Sequence, residues 1–444
     1  MKINIKNVGS INDFQYELRN GITLFCGPNN TGKTYAAYTI YSILKGFGKT
    51  SAEWISQHDF KNLIAKGVLT INPLKLSAKF SNDINSLLKK NLDADFDAPN
   101  SFFARSSLKI ELTKKTAKSA RPNAKRKLVV GKLEFEYFIE NDLISIIFAT
   151  KENSDRDEIP QHIIKDFLNQ SISELYAENF LGRVFVFTAE RSAINLFSRE
   201  LSSSRNMLVD QLLSLNNGEK KKEINFLNFL GAKTKRYSLP IRDGLEIAED
   251  LKEISKEIGP LSHLASRLEK EILGGELKIG ESGELIYTPE NSSGLRINLS
   301  ASLVKSLSSL VVYLRHQARK GDLIIIDEPE MNLHPDNQRK IARFLCELTN
   351  SGVDVLVSTH SDYIIREINN SIILKNPKLN KIKEKYSFSD MELIEHSKVS
   401  VVLFCKEESP THVEVNELGF SIESIDDVIN SLNQLSEEIM MELE

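Results

Sequence analysis

The chain of 444 residues is 41% hydrophobic and 27% charged, with a formal net charge of −4. That length exceeds one ordinary hydrophobic core and suits two or three domains, or one domain with large insertions. The near-neutral balance excludes a chain that grips nucleic acid over its whole surface, so any basic contact has to be local.

The N-terminal "MKINIKNVGSIND" has no apolar core of signal-peptide type, and no stretch approaches the ~18 uninterrupted apolar residues of a membrane span. No membrane association is expected. The three cysteines, Cys26, Cys346 and Cys405, share no metal-like spacing, and so sparse a count fits a reducing cytoplasm. The first two strands are expected in "MKINIKNV" and "FQYELR…ITLFC", which alternate in exposure.

The second run ends in Gly27-Pro28-Asn29-Asn30-Thr31-Gly32-Lys33-Thr34, which fits G-x-x-x-x-G-K-[ST]. "GITLFC" (21–26) before it reads as a strand, and "TYAAYTIYSILK" (34–45) after it reads as a helix. Glycines let several N–H groups turn inward, and the helix start adds its positive end, so the pattern predicts an anion site. Lys33 is expected to reach the β- and γ-phosphates of a nucleotide, and Thr34 Oγ1 to ligate Mg²⁺.

A polar helical region is expected over 51–92. Three alternating runs follow, "SLKIELTKK" (107–115), "KLEFEYFIE" (132–140) and "DLISIIFAT" (142–150), expected as added strands of the same sheet. Between the first two, residues 112–133 hold eight Lys or Arg and no acid: Lys114, Lys115, Lys118, Arg121, Lys125, Arg126, Lys127 and Lys132. Such a run repels itself and predicts an exposed loop. It could simply be solvated, or touch a phosphate backbone or an acidic protein. No interleaved aromatics support base stacking.

"FVFTAERSA" (185–193) follows another apolar strand, with Glu190 and Arg191 as its polar candidates; a surface ion pair is the plainer alternative. Residues 192–273 are mostly helical in pattern. "LEIAEDLKEISKEI" (245–258) carries an apolar face, and Gly259-Pro260 ends it before "LSHLASRLEKEIL" resumes. "GGELKIGESGELIYT" (274–288) returns to strands. "INLSASLVKSLSSLVVYLRHQ" (297–317) suits a helix from Leu303 onward.

"LIIIDEPEMNLHP" (323–335) opens with an apolar run, as a buried parallel strand should, and ends in Asp327-Glu328. Carboxylates at such a strand end face the crevice where ligands bind. Asp327 is expected to hold Mg²⁺ through water and Glu328 to polarise an attacking water. After the helix "NQRKIARFLCELTN" (337–350), the strand "VDVLVST" (353–359) ends in His360. One βαβ step separates the two strand ends, so His360 should lie beside the carboxylates and hydrogen-bond the γ-phosphate. The C-terminus predicts strands in "VSVVLFCKE" and "THVEVNEL". An amphipathic helix over 421–444 follows, with seven acids and no Lys or Arg. That helix either packs on its own head or docks a partner.

These elements resemble the ABC-type ATPase heads of SMC proteins, the OLD family and related bacterial ATPases, over about 1–50 and 275–375. The resemblance implies an α/β fold: an ABC-type P-loop ATPase head, with a mixed sheet core, an antiparallel β-subdomain and a helical insertion. Residues 1–191 would form the N-terminal part of the head, 192–273 the insertion and 274–444 the C-terminal part. It implies ATP and Mg²⁺ as cofactors. Gly27 to Thr34, Tyr35, Arg191, Ser300 and Ser302 would contact nucleotide, Thr34 and Asp327 the metal, and Lys33, Glu328 and His360 would serve catalysis. Ser300 and Ser302 stand where such heads carry an LSGGQ signature, though the glycine pair and the Gln are absent. His334 stands where the family has an Asp, and no Gln follows the strand before Glu190.

A head of this kind closes on ATP against a second copy of itself. The short insertion and the "AERS" stretch resemble ATPase subunits of two-component anti-phage systems such as PARIS and Septu. That implies a slow, nucleotide-gated scaffold controlling a separately encoded effector, a nuclease, since no nuclease-like acidic cluster or zinc spacing follows the ATPase motifs. The alternative is a RecF- or SMC-like repair ATPase that holds duplex DNA through Lys114 to Lys132. A transporter ATPase is disfavoured by the missing signature glycines.

Overall fold

The computed structural model describes residues 1–18, 20–49, 53–72, 85–86, 89–111, 125–130, 133–140, 143–150, 160–198 and 237–443. In chain order the strands are β1 (Lys2–Val8), β2 (Ile11–Glu17), β3 (Ile22–Cys26), β4 (Val68–Ile71), β5 (Ser107–Glu111), β6 (Lys125–Val130), β7 (Leu133–Glu140), β8 (Leu143–Thr150), β9 (Val184–Phe187), β10 (Gly275–Ile279), β11 (Leu285–Pro289), β12 (Leu295–Arg296), β13 (Leu323–Asp327), β14 (Asp354–Ser358), β15 (Val399–Leu403) and β16 (Thr411–Val413). The longer helices are α1 (Lys33–Lys49), α2 (Gln57–Lys66), α3 (Gln161–Tyr176), α4 (Leu239–Glu249), α5 (Ser262–Leu268), α6 (Ser302–Val312), α7 (Pro335–Asn350), α8 (Asp362–Ile373) and α9 (Glu423–Leu443). The chain divides into two compact units, one of Met1–Arg19, Tyr38–Asp93 and Asn100–Val184, the other of Asn20–Ala37, Ala94–Pro99 and Phe185–Glu444.

The first unit holds two antiparallel sheets, ordered β2-β1-β5 and β4-β8-β7-β6. In the smaller sheet Ile3 lies between Tyr16 and Ile110, and Ile5 between Phe14 and Leu108. All six side chains are buried, so the period-two alternation read from β1 is its burial pattern. In the larger sheet Phe135, Tyr137, Ile139, Ile144 and Ile146 make the buried face. α3 closes on the segment before α2 through two buried bonds. Trp54 Nε1 donates to Ser173 Oγ at 2.7 Å, and the Ile55 amide to Asn169 Oδ1 at 2.9 Å.

Several expectations are corrected here. The three alternating runs do not share one sheet: β5 pairs with β1, while β7 and β8 pair with each other. Residues 125–130, expected in an exposed loop, form β6 against β7. The polar helical region contains α2 but then turns into β4, which pairs with β8. α2 stops at Gly67, whose φ of 76° needs no Cβ clearance and whose N–H caps Leu63 O. Lys114, Lys115, Lys118, Arg121 and Lys132 lie outside the described residues.

The second unit is built on the sheet β16-β15-β3-β14-β13-β9. β15, β3, β14 and β13 run parallel, and β16 is an antiparallel edge. Every residue of β3, β13 and β14 is buried, as unbroken apolar runs covered on both faces require. β2 and β3, one expected strand, therefore part company: the alternating half stays antiparallel and the mostly apolar half enters the parallel sheet. The core around it takes Leu264 and Leu268 from α5, Leu310 from α6, Leu345 from α7 and Ile368 from α8. β10, β11 and β12 make a separate antiparallel sheet. The expected helix 245–258 is displaced: α4 begins at Leu239, a break falls at Asp250 and the last turn ends at Ile254. On α9, Leu435 and Ile439 stay 53% and 51% exposed, so this part of its apolar face is not packed on the head.

Parallel alignment puts the C-terminal ends of β3, β13, β14 and β15 along one edge. Asp327 is level with Ser358, Ser358 with Phe25, and Leu403 with Cys26. Gly27 leaves that edge at φ 131°, and a Cβ there would sit 2.1 Å from Phe404 O. Gly27→Ala is therefore expected to lower stability by about 3 kcal/mol or more, read as a lower urea midpoint.

Candidate active site

The loop after β3 turns by three left-handed residues, Gly27 (φ 131°), Asn30 (φ 62°) and Gly32 (φ 101°), and α1 starts directly at Lys33. A loop that turns this way into a helix start can present backbone amides to an anion. Thr31 Oγ1 braces the loop by donating to Pro28 O at 2.8 Å. Lys33 is 8% exposed and folds back on the loop, Nζ donating to Gly27 O at 2.9 Å and to Pro28 O at 2.7 Å. Burial pulls its pKa below the ordinary lysine value, while Cys26, Asp327, Glu328 and Glu330 push it back up. A phosphate at the loop would favour the charged form and compete with those carbonyls for its protons. Cys26 beside it is no nucleophile, since burial raises its thiol to about 12.

Asp327 closes β13 at 3% exposure. Its carboxylate accepts from Thr34 Oγ1 at 3.2 and 3.3 Å, and Ser358 Oγ donates to its Oδ1. A hydroxyl and a carboxylate held this close are the hard-oxygen pair that suits Mg²⁺ with water completing its shell, so the residues fit the metal. Glu328 follows at φ 48°, a strained value for a residue with a Cβ. Its N–H donates to Ser358 O at 2.9 Å, and its side chain is 32% exposed, turned out from the strand. His360 Nδ1 lies 4.0 Å from Glu328 Oε1 and 3.6 Å from Glu330 Oε1. The structure thus brings Lys33, Thr34, Asp327, Glu328 and His360 to one sheet edge.

Arg191, expected to contact nucleotide, is held among backbone carbonyls. It is 4% exposed, with Nε donating to Ser306 O at 3.0 Å, Nη1 to Thr188 O at 3.0 Å and Asp327 O at 2.7 Å, and Nη2 to Glu328 O at 2.8 Å. Its guanidinium therefore fastens the backbone of the carboxylate pair to α6. Glu190 is exposed, and its carbonyl accepts from Ala193 N at 2.9 Å. Ser300 is 8% exposed and bonds Arg296 O at 3.4 Å, whereas Ser302 is exposed at the first turn of α6. Among the described residues no hydrogen bond joins either serine to the phosphate loop. His334 caps α7, its Nδ1 accepting from Asp336 N at 3.4 Å. Tyr35 stacks on Phe96 at 5.5 Å.

Sequence reasoning missed Glu330, Ser358, Thr359 and the clamp role of Arg191. The first three stand in the quoted strand ends, and their polar character at the close of apolar runs was the available signal. Little local marks Arg191: Thr188 is three residues away, but its other three partners lie 115 to 137 residues away in the chain.

A family model described as "AAA ATPase domain" matches residues 1–365. Over 91 residues the chain is 32% identical to the Old nuclease of Escherichia phage P2, which is 20% of this chain and 16% of that protein. The match therefore spans about a sixth of that relative's length. Among solved structures, an SMC head domain of Pyrococcus furiosus bound to the C-terminal domain of ScpA is similar at 13% identity, covering 97% of this chain and 98% of that one, with a TM-score of 0.32. The SMC head domain from Thermotoga maritima is similar at 11% identity, covering 93% and 98%, with a TM-score of 0.31. Among the described residues no helix is long and apolar enough to cross a membrane.

Proposed function

The chain belongs to the AAA ATPase domain family, and from that premise we propose that it binds ATP with Mg²⁺ at Gly27–Thr34 and hydrolyses it, in a site completed by a second copy of the chain. The observation that carries this reading is the meeting of Lys33, Thr34, Asp327, Glu328 and His360 at one sheet edge. The loop amides and Lys33 hold the phosphates. Thr34 and Asp327 would hold Mg²⁺, which when bound neutralises charge on the phosphate oxygens. Glu328 takes the proton of the attacking water as its oxygen bonds the γ-phosphorus and the bond to the β-phosphate oxygen breaks. His360 donates to the γ-phosphate and steadies its charge. The exposed start of α6 at Ser302, unbonded to the loop of its own chain, supports a role in capping the nucleotide of the other copy.

ATP shared across two copies is a sufficient cause of a two-state switch, because the dimer contacts a γ-phosphate that ADP lacks. We propose that this switch governs a separately encoded effector, a nuclease, in anti-phage defence. The "AERS" stretch supports that reading, as does the insertion expected over 192–273, of which residues 199–236 lie outside the described residues. The Lys125-Arg126-Lys127 run on edge strand β6 favours a second reading, a repair ATPase that contacts duplex DNA.

The test is nucleotide titration and turnover of the purified chain beside Lys33→Ala. Wild type is expected to bind ATP with Mg²⁺ and to hydrolyse it, and the variant to lose both by roughly 100-fold or more. A wild-type chain with no affinity for ATP would end the proposal. Co-purification with the neighbouring gene product supports the effector reading, whereas turnover that rises with duplex DNA and falls steeply with salt supports the other.

A further inference from the structure

Glu330 has no part in the chemistry above, yet its carboxylate is the more deeply buried of the two beside His360, 8% exposed against 32% for Glu328. Its Oε1 already accepts two bonds, from Thr359 Oγ1 at 2.7 Å and from the His360 N–H at 3.0 Å. Its Oε2 is buried and has no hydrogen-bond partner among the described residues. A bare carboxylate oxygen in a protein interior is costly, so a donor is to be sought for it. His360 Nδ1 stands beside this carboxylate, 3.6 Å from its neighbouring oxygen Oε1. The ring also pivots on a Cα whose own amide Glu330 holds. A small movement of the ring, of the kind that closes such contacts in a substrate complex, joins Nδ1–H to Oε2.

We infer that Glu330 is a positioning residue for His360: its carboxylate accepts Nδ1–H and so turns Nε2 toward the terminal phosphate. This keeps Glu328, the other carboxylate near the same nitrogen, free for the water. A ring held between a carboxylate and a phosphate donates from both nitrogens. Glu330 touches neither nucleotide nor water in this scheme and acts through the histidine alone. The inference rests on the proposed ATP site.

The experiment uses the full chain, ¹⁵N-labelled at histidine, with Mg²⁺ and a non-hydrolysable ATP analogue, and compares wild type, Glu330→Gln, His360→Gln and the double variant. Glu330→Gln keeps an acceptor for Thr359 and the His360 amide but puts an NH₂ donor where Oε2 lies, against Nδ1–H. The Nδ1–H signal that His360→Gln removes is expected in wild type and lost in Glu330→Gln. With ATP itself, Glu330→Gln should lower kcat by roughly 10- to 100-fold with KM within about threefold. The double variant should be no slower than His360→Gln alone. Wild-type kcat in Glu330→Gln, an unchanged Nδ1–H signal, or losses that multiply in the double variant would overturn the inference. A signal that behaves as expected in a chain that never hydrolyses ATP would sustain the Glu330–His360 contact while ending the hydrolytic role proposed above.

Discussion

Glu328→Gln is expected to lower ATP turnover by roughly 10²- to 10⁴-fold while leaving ATP binding intact. The backbone that presents this side chain is held at both ends, by its N–H on Ser358 O and by its carbonyl under Arg191 Nη2 and Met331 N. The amide has nearly the shape of the carboxylate, so the loop should stand unaltered while the proton acceptor is gone. Nucleotide bound but not cleaved keeps the closed state populated, so the variant should run as a dimer with ATP in light scattering, where wild type returns to monomer as ATP is consumed. Wild-type turnover in this variant would remove Glu328 as the base, and a variant that stayed monomeric with ATP would remove the second copy from the site.

Arg191→Ala should be the most damaging substitution outside the phosphate contacts, lowering stability by about 3 kcal/mol or more and abolishing turnover. It takes a donor that is 4% exposed away from four carbonyls. Two of those carbonyls belong to Asp327 and Glu328, so the carboxylate pair loses its fixed backbone with the same cut. Arg191→Lys keeps the charge but cannot span carbonyls on three segments, and it should recover only part of the loss. Urea midpoints and turnover measured together check this. A stable variant with ATP affinity reduced and kcat preserved would return Arg191 to the role of nucleotide contact.

Both predictions concern β13, and they divide the molecule as the sequence did. Asp327 and Glu328 were legible because an unbroken apolar run has to be buried on both faces, and a carboxylate pair at its end has to leave the sheet there. The Gly27–Thr34 loop was legible for a similar reason: glycine spacing, a lysine and a hydroxyl between strand and helix make a local geometry that needs no distant partner. His360 followed from one crossover, because a βαβ step between parallel strands brings their C-terminal ends level. Each of these readings rests on forces acting within a few residues or across one right-handed connection.

Which strands pair with which was not legible. β5, β7 and β8 share the same alternation, and period two says that a strand has a wet and a dry face but not which neighbour it meets. β6 was hidden for a different reason, since its Lys125-Arg126-Lys127 reads as solvated charge until the ladder with β7 offers Glu134 to Lys127 at 2.5 Å. By itself the sequence determined that a phosphate loop, a carboxylate pair and a histidine end strands of one parallel sheet, because burial and backbone geometry at those places are local. Only the tertiary structure decided that Arg191 bolts that edge to α6 and that Glu330 stands behind His360. A buried polar group is tolerated only where partners from remote segments satisfy it, and that meeting exists only in the folded chain.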